Sequence, residues 1–328
     1  MRYKKFHNAD IDVSVIGVGT WAIGGDGYGE VNEADSIAGI RAMLEQGVNL
    51  VDTAPAYGSG YAETIVGKAI SGYDRSKLLI STKVGIGATT LKAKKGFKGF
   101  ARDSSFDNIL YECEQSLRRL NTDHIDFYFI HWPDFDMPFA ETADALNTLK
   151  KENKIRYIGV SNFSRQQIEE LGKYCQIDVI QPPFSMLASR DRELMKWAKE
   201  KGIDNFTYGS LGAGILSGKY REVPSFGPRD PRNHFYPYYK EPLFSKVMKL
   251  LEVMDGISEE TGRPLVEIVL NWTVQKDFVS TTLCGIRNAD QAKQDCQAFD
   301  WLLSDEQMRT IDEAIDTYID FDGVPPME

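Results

Sequence analysis

Short apolar runs alternate with stretches of helical spacing along nearly the whole chain. The first sixteen residues read as two short strands around a turn at Asn8-Ala9-Asp10, a hairpin. Val13 to Gly19 continues as a buried strand and opens into a Gly-rich loop. From Glu33 to Gln46 the apolar positions recur with helical spacing and stop at Gly47, a common helix terminator. The pattern then repeats. Strands are expected at Val48–Asp52, Leu78–Lys83, Ile125–His131, Ile155–Val160, Val179–Gln181 and Ile203–Tyr208. Helices are expected at Ala62–Ile70, Phe106–Leu120, Phe139–Lys151, Ser164–Tyr174 and Arg190–Lys201.

Two long loops interrupt the alternation, over residues 85–104 and 209–240. After the second come helices over 242–261 and Pro264–Gln275, where Pro264 suits a first helical turn. A strand at Phe278–Leu283, a helix at Ala289–Ala298 and a last helix at Ser304–Tyr318 complete the series. The tail from Phe321 to Glu328 is expected to be extended, because Gly323, Pro325 and Pro326 do not continue a helix. Strands alternating with helices imply a parallel sheet. Eight such units in 328 residues fit an α/β fold, a closed (β/α)8 TIM barrel. The hairpin stands before it, and two extra helices follow the seventh strand and the eighth unit. No break in composition marks a linker, so residues 1–328 read as a single domain.

Composition narrows the partners. A hydrophobic share of 42% with 26% charged residues describes a soluble globular chain. The net charge of -10 argues against nucleic acid and against an anionic membrane. No apolar run approaches the roughly 18 residues of a membrane span, and Met1 to Phe6 lacks the apolar core of a signal peptide. Cys113, Cys175, Cys284 and Cys296 are scattered, which fits reduced thiols in a cytoplasmic protein.

The chemistry gathers at strand ends. Val48 to Asp52 is an apolar strand that ends in an acid, and burying a carboxylate without a partner is costly. Tyr57 follows it after a turn, Lys83 ends the next strand, and His131 ends the one after. Each alone is as easily structural. Together they supply four complementary roles in moving a proton to a carbonyl oxygen. Tyrosine gives up its proton reluctantly. A nearby ammonium would ease that loss, a carboxylate would hold the ammonium, and a neutral histidine would orient the carbonyl. Gly17 to Ala22 also fits a dinucleotide fingerprint, but Gly24, Gly25, Gly27 and Gly29 leave no helix to follow it, and Asp52 comes too late.

Several segments resemble the aldo-keto reductase family: Gly17 to Trp21, Asp52-Thr53-Ala54 with Tyr57-Gly58, Ser81-Thr82-Lys83, and Leu117 to Asp123. Further on, Ile125-Asp126, His131 to Asp134, Ile155 to Phe163 and Leu211 to Tyr220 continue the match in order. The chain is most similar to the branch of bacterial and plant reductases and potassium-channel β subunits. The resemblance implies a barrel that transfers hydride between a nicotinamide and a carbonyl, an alcohol or a sugar. It assigns Asp52, Tyr57, Lys83 and His131 to the catalytic tetrad. It places the carboxamide of nicotinamide at Ser161, Asn162 and Gln181, and its ring on Tyr208. Gly209, Ser210, Leu211, Gly212 and Ala213 would follow the pyrophosphate, with Lys219 as its cation.

Gly19, Thr20, Trp21 and Asp52 complete the nicotinamide end. Gly285, Arg287, Gln291, Gln294 and Asp295 would hold the adenosine end. Arg287 falls where members contact a 2′-phosphate, so NADP (NADPH) is expected over NAD. The family commonly has Glu and Asn where this chain has Gln294 and Asp295, which adds a negative charge there. Trp21, Trp132, Tyr57 and His131 would line the substrate pocket, and the aromatics near Phe97 and Phe100 and from Phe226 to Tyr239 are candidates to close over it. The resemblance also admits an NADP-binding regulatory or redox-sensor subunit with little turnover. His131 favours an enzyme, since the channel subunits usually carry asparagine there. A homo-oligomer is compatible with it.

Overall fold

The computed structural model describes residues 1–25, 31–228 and 230–323. The end of the expected extended tail, residues 324–328, lies outside them. The described residues hold ten strands: β1 Tyr3–Lys5, β2 Asp12–Ser14, β3 Ile16–Gly19, β4 Leu50–Asp52, β5 Leu79–Val84, β6 Ile125–Ile130, β7 Ile155–Ser161, β8 Val179–Gln181, β9 Asp204–Tyr208 and β10 Thr281–Gly285. The helices are α1 Glu33–Glu45, α2 Tyr61–Ile70, α3 Leu91–Lys94, α4 Phe106–Leu120, α5 Phe139–Lys151, α6 Arg165–Leu171, α7 Arg192–Glu200, α8 Leu243–Thr261, α9 Leu265–Gln275, α10 Ala289–Gln297 and α11 Asp305–Tyr318.

Strands β1 and β2 pair antiparallel, with Tyr3 opposite Ser14. Strands β3 to β10 close into a parallel barrel, β10 returning to β3. The expected (β/α)8 barrel is therefore present, with its amino-terminal hairpin and with α8 and α11 as the added helices. Closure removes every sheet edge, which a parallel sheet otherwise leaves open.

The barrel strands are covered on both faces and are rich in apolar residues, although β9 and β10 also bury Asn205, Thr207, Thr281 and Thr282. Inside, Leu50, Leu79, Phe127, Phe129, Val179, Phe206 and Leu283 fill the barrel, and Phe6 from the hairpin turn plugs its amino-terminal mouth. Phe6 lies edge-on to Phe127 at 5.1 Å between ring centres. Outside, Val18, Val51, Ile80, Tyr128, Ile130 and Ile158 meet the helices. Burying each such side chain contributes about 1.5–3 kcal/mol.

Several boundaries differ from expectation for identifiable reasons. Thr90 caps a single helical turn, α3, inside the first long loop; its hydroxyl accepts from the Ala93 N–H. The second loop contains three short 3-10 turns, at Gly212–Ser217, Pro231–Asn233 and Pro237–Tyr239. Pro264 sits one residue before α9 as its cap, with extended ψ of 153°. Strand β10 starts at Thr281 rather than Phe278, because a turn from Lys276 to Val279 comes first. It runs on to Gly285, which pairs with Gly19. One 3-10 turn does form at Trp21–Gly24, and it ends at Gly25 with φ of 81°.

Candidate active site

Every barrel strand delivers a polar or glycyl residue to the carboxyl-terminal face. Gly19 ends β3, Asp52 ends β4, Lys83 nears the end of β5 and His131 follows β6. Ser161, Gln181, Tyr208 and Gly285 end β7, β8, β9 and β10. This is the face where barrel enzymes keep their chemistry.

Asp52 and Lys83 form a buried ion pair, Nζ to Oδ1 at 2.6 Å. Both side chains are almost entirely enclosed. Lys83 also donates to the Thr53 carbonyl at 2.9 Å. The other carboxylate oxygen of Asp52 accepts from the Ser81 hydroxyl at 2.7 Å and from the Gln181 amide at 2.9 Å. A buried pair is tolerated only when its remaining valences are satisfied in this way. Burial still pulls the Lys83 ammonium below its ordinary value, against the opposing pull of Asp52.

Tyr57 lies over this pair. Lys83 Nζ is 5.1 Å from the centre of its ring. The His131 ring stands edge-on to it at 5.9 Å and the Trp21 ring is tilted at 6.5 Å. Burial, aided by the Asp52 carboxylate, raises the phenol well above its ordinary value. Tyr57 is therefore a neutral phenol at pH 7. Two of the three Lys83 N–H groups are committed, to Asp52 and Thr53. Burial, with Lys83 nearby, pushes His131 well below its usual range, so the imidazole is neutral too. Among the described residues, His131 Nδ1 and Thr53 Oγ1 are buried without a hydrogen-bond partner. Gly58, at φ of 60°, lets the Trp21–Gly24 turn approach Tyr57, since a Cβ there would lie 2.4 Å from the Gly24 oxygen.

The next strand ends are tied to the same cluster. Asn162, at φ of 62°, donates to the His131 carbonyl at 3.0 Å and to the Ser161 hydroxyl at 3.1 Å. Tyr208 donates to Asn162 Oδ1 at 3.0 Å, and Ser161 to the Gln181 carbonyl at 2.9 Å. Ser210 bonds Thr282 across β9 and β10. The backbone from Gly209 to Gly214 turns through left-handed conformations at Gly209, Gly212, Ala213 and Gly214. A Cβ built on Gly209 or Gly285 would meet nothing within 4 Å, so open space flanks these strand ends.

Beyond β10, Asn288 caps α10 and Gln291 accepts from the Arg287 N–H at 3.1 Å. Lys219, Arg287 and Gln294 are exposed. Asp295 points the other way, into the layer between α10 and β10. There the Cys284 thiol donates to it at 3.3 Å. Burial pushes its carboxyl up to about 7, so half the charge expected at this end is withdrawn near neutral pH.

A cavity of about 310 Å³ opens beside the cluster, lined by Arg102, Trp132, Asn162, Gln181, Arg190 and Asp191 among others. The tetrad itself does not line it. Phe97 and Phe100 are exposed. Phe226, Tyr220 and Tyr239 instead pack edge-on against one another, with Phe226 and Tyr239 4.9 Å apart. Ser81 stands in the resembling segment Ser81-Thr82-Lys83, and the strand period of two puts it on the face of Lys83.

The aldo/keto reductase family model matches residues 15–316. The chain belongs to the aldo-keto reductases. It is 36% identical over 322 residues to the aldo-keto reductase YhdN of Bacillus subtilis, covering 97% of this chain and 95% of that one. It is 33% identical over 320 residues to the NADH-specific methylglyoxal reductase of Escherichia coli, covering 94% and 97%. The glycerol dehydrogenase of Gluconobacter oxydans superposes with a TM-score of 0.86 at 29% identity, covering 99% of this chain and 97% of that one. This chain is thus an oxidoreductase of the carbonyl–alcohol type that works with a nicotinamide cofactor. Among the described residues no helix is long and apolar enough to cross a membrane.

Proposed function

We propose that the chain is an NADP-dependent reductase of small aldehydes, ketones or sugars, or their dehydrogenase in reverse, with Tyr57 as general acid and base. One observation carries this reading. Tyr57 lies over the Lys83–Asp52 pair with the neutral ring of His131 edge-on to it. A neutral phenol is the form that can give a proton to an alkoxide as it develops, and Lys83 is placed to stabilise the phenolate left behind. His131, uncharged, can hydrogen-bond the carbonyl oxygen without competing for that proton. Asp52 keeps Lys83 charged and in place.

The residues suit a dinucleotide. Ser161, Asn162 and Gln181 offer amide and hydroxyl groups to a carboxamide, and Tyr208 offers a ring face. The open flanks of Gly209 and Gly285 leave backbone amides accessible to phosphate oxygens. Lys219 and Arg287 supply exposed cations at that end. Arg287 favours NADP, because a guanidinium can bind two oxygens of a 2′-phosphate. When bound, the nicotinamide supplies the hydride. The whole chain acts as one domain in this reading. Its free, buried thiols suit a cytoplasmic setting.

Fluorescence titration with NADPH and NADH, followed by a panel of carbonyls and sugars, tests the reading. Tight NADPH binding with consumption by some panel members is the expected result. Tight binding without consumption would favour the regulatory subunit. Binding of neither cofactor would end the proposal.

A further inference from the structure

Arg102 differs from the other cations of the strand-end face. An antiparallel bridge to Ile86 fixes its backbone. Its guanidinium carbon lies 5.4 Å from the ring centre of Trp132 and 5.3 Å from that of Phe135. Contacts of a guanidinium with ring faces do not use up its N–H groups as hydrogen-bond donors to oxygen. Among the described residues, those N–H groups have no hydrogen-bond or ion-pair partner. The side chain lines the cavity of about 310 Å³ that also touches Asn162 and Gln181. Trp132 directly follows His131 in sequence, so one ring partner of the arginine is anchored at the reaction centre.

The second arginine of this cavity, Arg190, is differently placed. Its Nε lies 3.6 Å from Asp322 and 3.9 Å from Asp191. Asp191 also lines the cavity and opposes any incoming anion, although burial raises its carboxyl and so favours its neutral form. Arg102 is thus a cation held in place by two rings with its donors uncommitted, in a chain whose net charge of -10 otherwise repels anions.

We propose that Arg102 receives an anionic oxygen group of the substrate, so that the preferred carbonyl compounds carry a carboxylate or a phosphate away from the reacting carbon. This rests on the carbonyl-reductase reading above. The recognition is charge-assisted, and two parallel N–H···O bonds suit either group. Phe135 is 73% exposed, which leaves this edge of the cavity open to a substrate entering from solvent.

Matched pairs of aldehydes test it with the full chain and its cofactor. One pair is 4-carboxybenzaldehyde against 4-methylbenzaldehyde, the other glyceraldehyde 3-phosphate against glyceraldehyde. The wild type should favour the charged member of at least one pair by tenfold or more in kcat/KM, chiefly through KM. The pair that responds distinguishes carboxylate from phosphate. In Arg102→Met that ratio should fall at least tenfold, and Arg102→Lys should retain part of it. A wild-type ratio near one in both pairs, or a ratio unchanged in Arg102→Met, overturns the proposal. A readout free of turnover is quenching of tryptophan fluorescence by benzoate and by inorganic phosphate. Saturable quenching that Arg102→Met abolishes supports the anion site even where no aldehyde is consumed, in which case the reductase reading alone fails. No saturable quenching in the wild type, together with no charged-substrate preference, sinks the anion site.

Discussion

Asp52 and Asp126 are buried acids at opposite ends of the same barrel. Asp126 opens β6 at the amino-terminal mouth and is wholly enclosed. Arg75 reaches it at 2.6 Å, Arg156 at 2.9 Å and the Ile80 N–H at 2.8 Å. Asp178 and Asp204 close the same mouth in the same manner, accepting from the N–H groups of Ile158 and His7. Those acids join strands to one another. Asp52 is as well satisfied, by Lys83, Ser81 and Gln181. Unbonded buried groups occur at both ends among the described residues: His131 Nδ1 and Thr53 Oγ1 at one, His124 Nε2, 3.8 Å from Asp126, at the other. What separates the two acids is what they hold. Asp126 ties down arginines and a backbone N–H, whereas Asp52 holds a lysine that faces the ring of Tyr57, with His131 beside it.

The sharpest way to test that contrast is to remove one group at each end. Tyr57→Phe deletes a hydroxyl and leaves the ring packing of Trp21 and His131. It should cost about a hundredfold to ten-thousandfold in turnover, the scale of general acid–base catalysis, with cofactor affinity and melting temperature nearly unchanged. Steady-state kinetics and a thermal melt check it, and near-normal turnover would remove Tyr57 from its role. Asp126→Ala should do the reverse. It leaves Arg75, Arg156 and the Ile80 N–H without their shared acceptor, a loss of about 3–5 kcal/mol in stability. Denaturant unfolding should register that loss, whereas kcat per folded molecule should hold within about threefold.

Asp295 sharpens the comparison further. It is as buried as the other two, at 2% exposure, yet its one hydrogen bond in the described residues comes from the Cys284 thiol. With neither a cation nor backbone N–H groups to hold its charge, its carboxyl rises to about 7 because of burial. The folded chain therefore binds a proton here that the unfolded chain, near 3.8, has released. The stabilising contribution is present below about pH 4 and declines as pH rises toward 7. A shift of that size corresponds to about 4 kcal/mol at most. Asp295→Asn should flatten the decline and raise the melting temperature at pH 8 by several degrees, with little change at pH 4. Parallel pH-dependent melts of both proteins would not support this account if they kept a constant offset.

Much of this was legible before any coordinates. Parallel strands covered on both faces are rich in apolar residues, so the strands were visible by position even where, as in β9 and β10, polar residues are buried or the bounds shift, and the tetrad stood out as four complementary residue types at their ends. What stayed hidden depended on register. Ser81 meets Asp52 only because residues 52 and 81 are opposite one another in β4 and β5. Gln181 reaches the same carboxylate across 129 residues of chain. Arg102 gave no signal at all, since its two ring partners lie more than 29 residues further along. The 3-10 turns of the 209–240 loop were hidden too, because tertiary packing of Tyr238 and Tyr239 against α8 decides them more than local propensity.

The smallest predicted effect concerns a charge that is not buried. Arg287 follows β10 on the exposed rim, two residues past Gly285, and its field reaches Asp230 in the long loop. A charge on the exposed rim adds little to stability even when paired, so Arg287→Ala should shift the melt by no more than about 1 kcal/mol. Its expected effect is on discrimination between cofactors. NADPH affinity should fall about tenfold, or 1.4 kcal/mol, and NADH affinity by no more than about twofold. Because the interaction is exposed, it should also weaken with salt. The wild-type preference should shrink between low ionic strength and about 1 M, where the screening length drops to about 3 Å. The buried Asp52–Lys83 pair should show no such sensitivity. Fluorescence titrations of both cofactors at two salt concentrations read all of this at once. Equal losses for NADPH and NADH would take the 2′-phosphate away from Arg287 and leave its position at the rim without a role in cofactor choice.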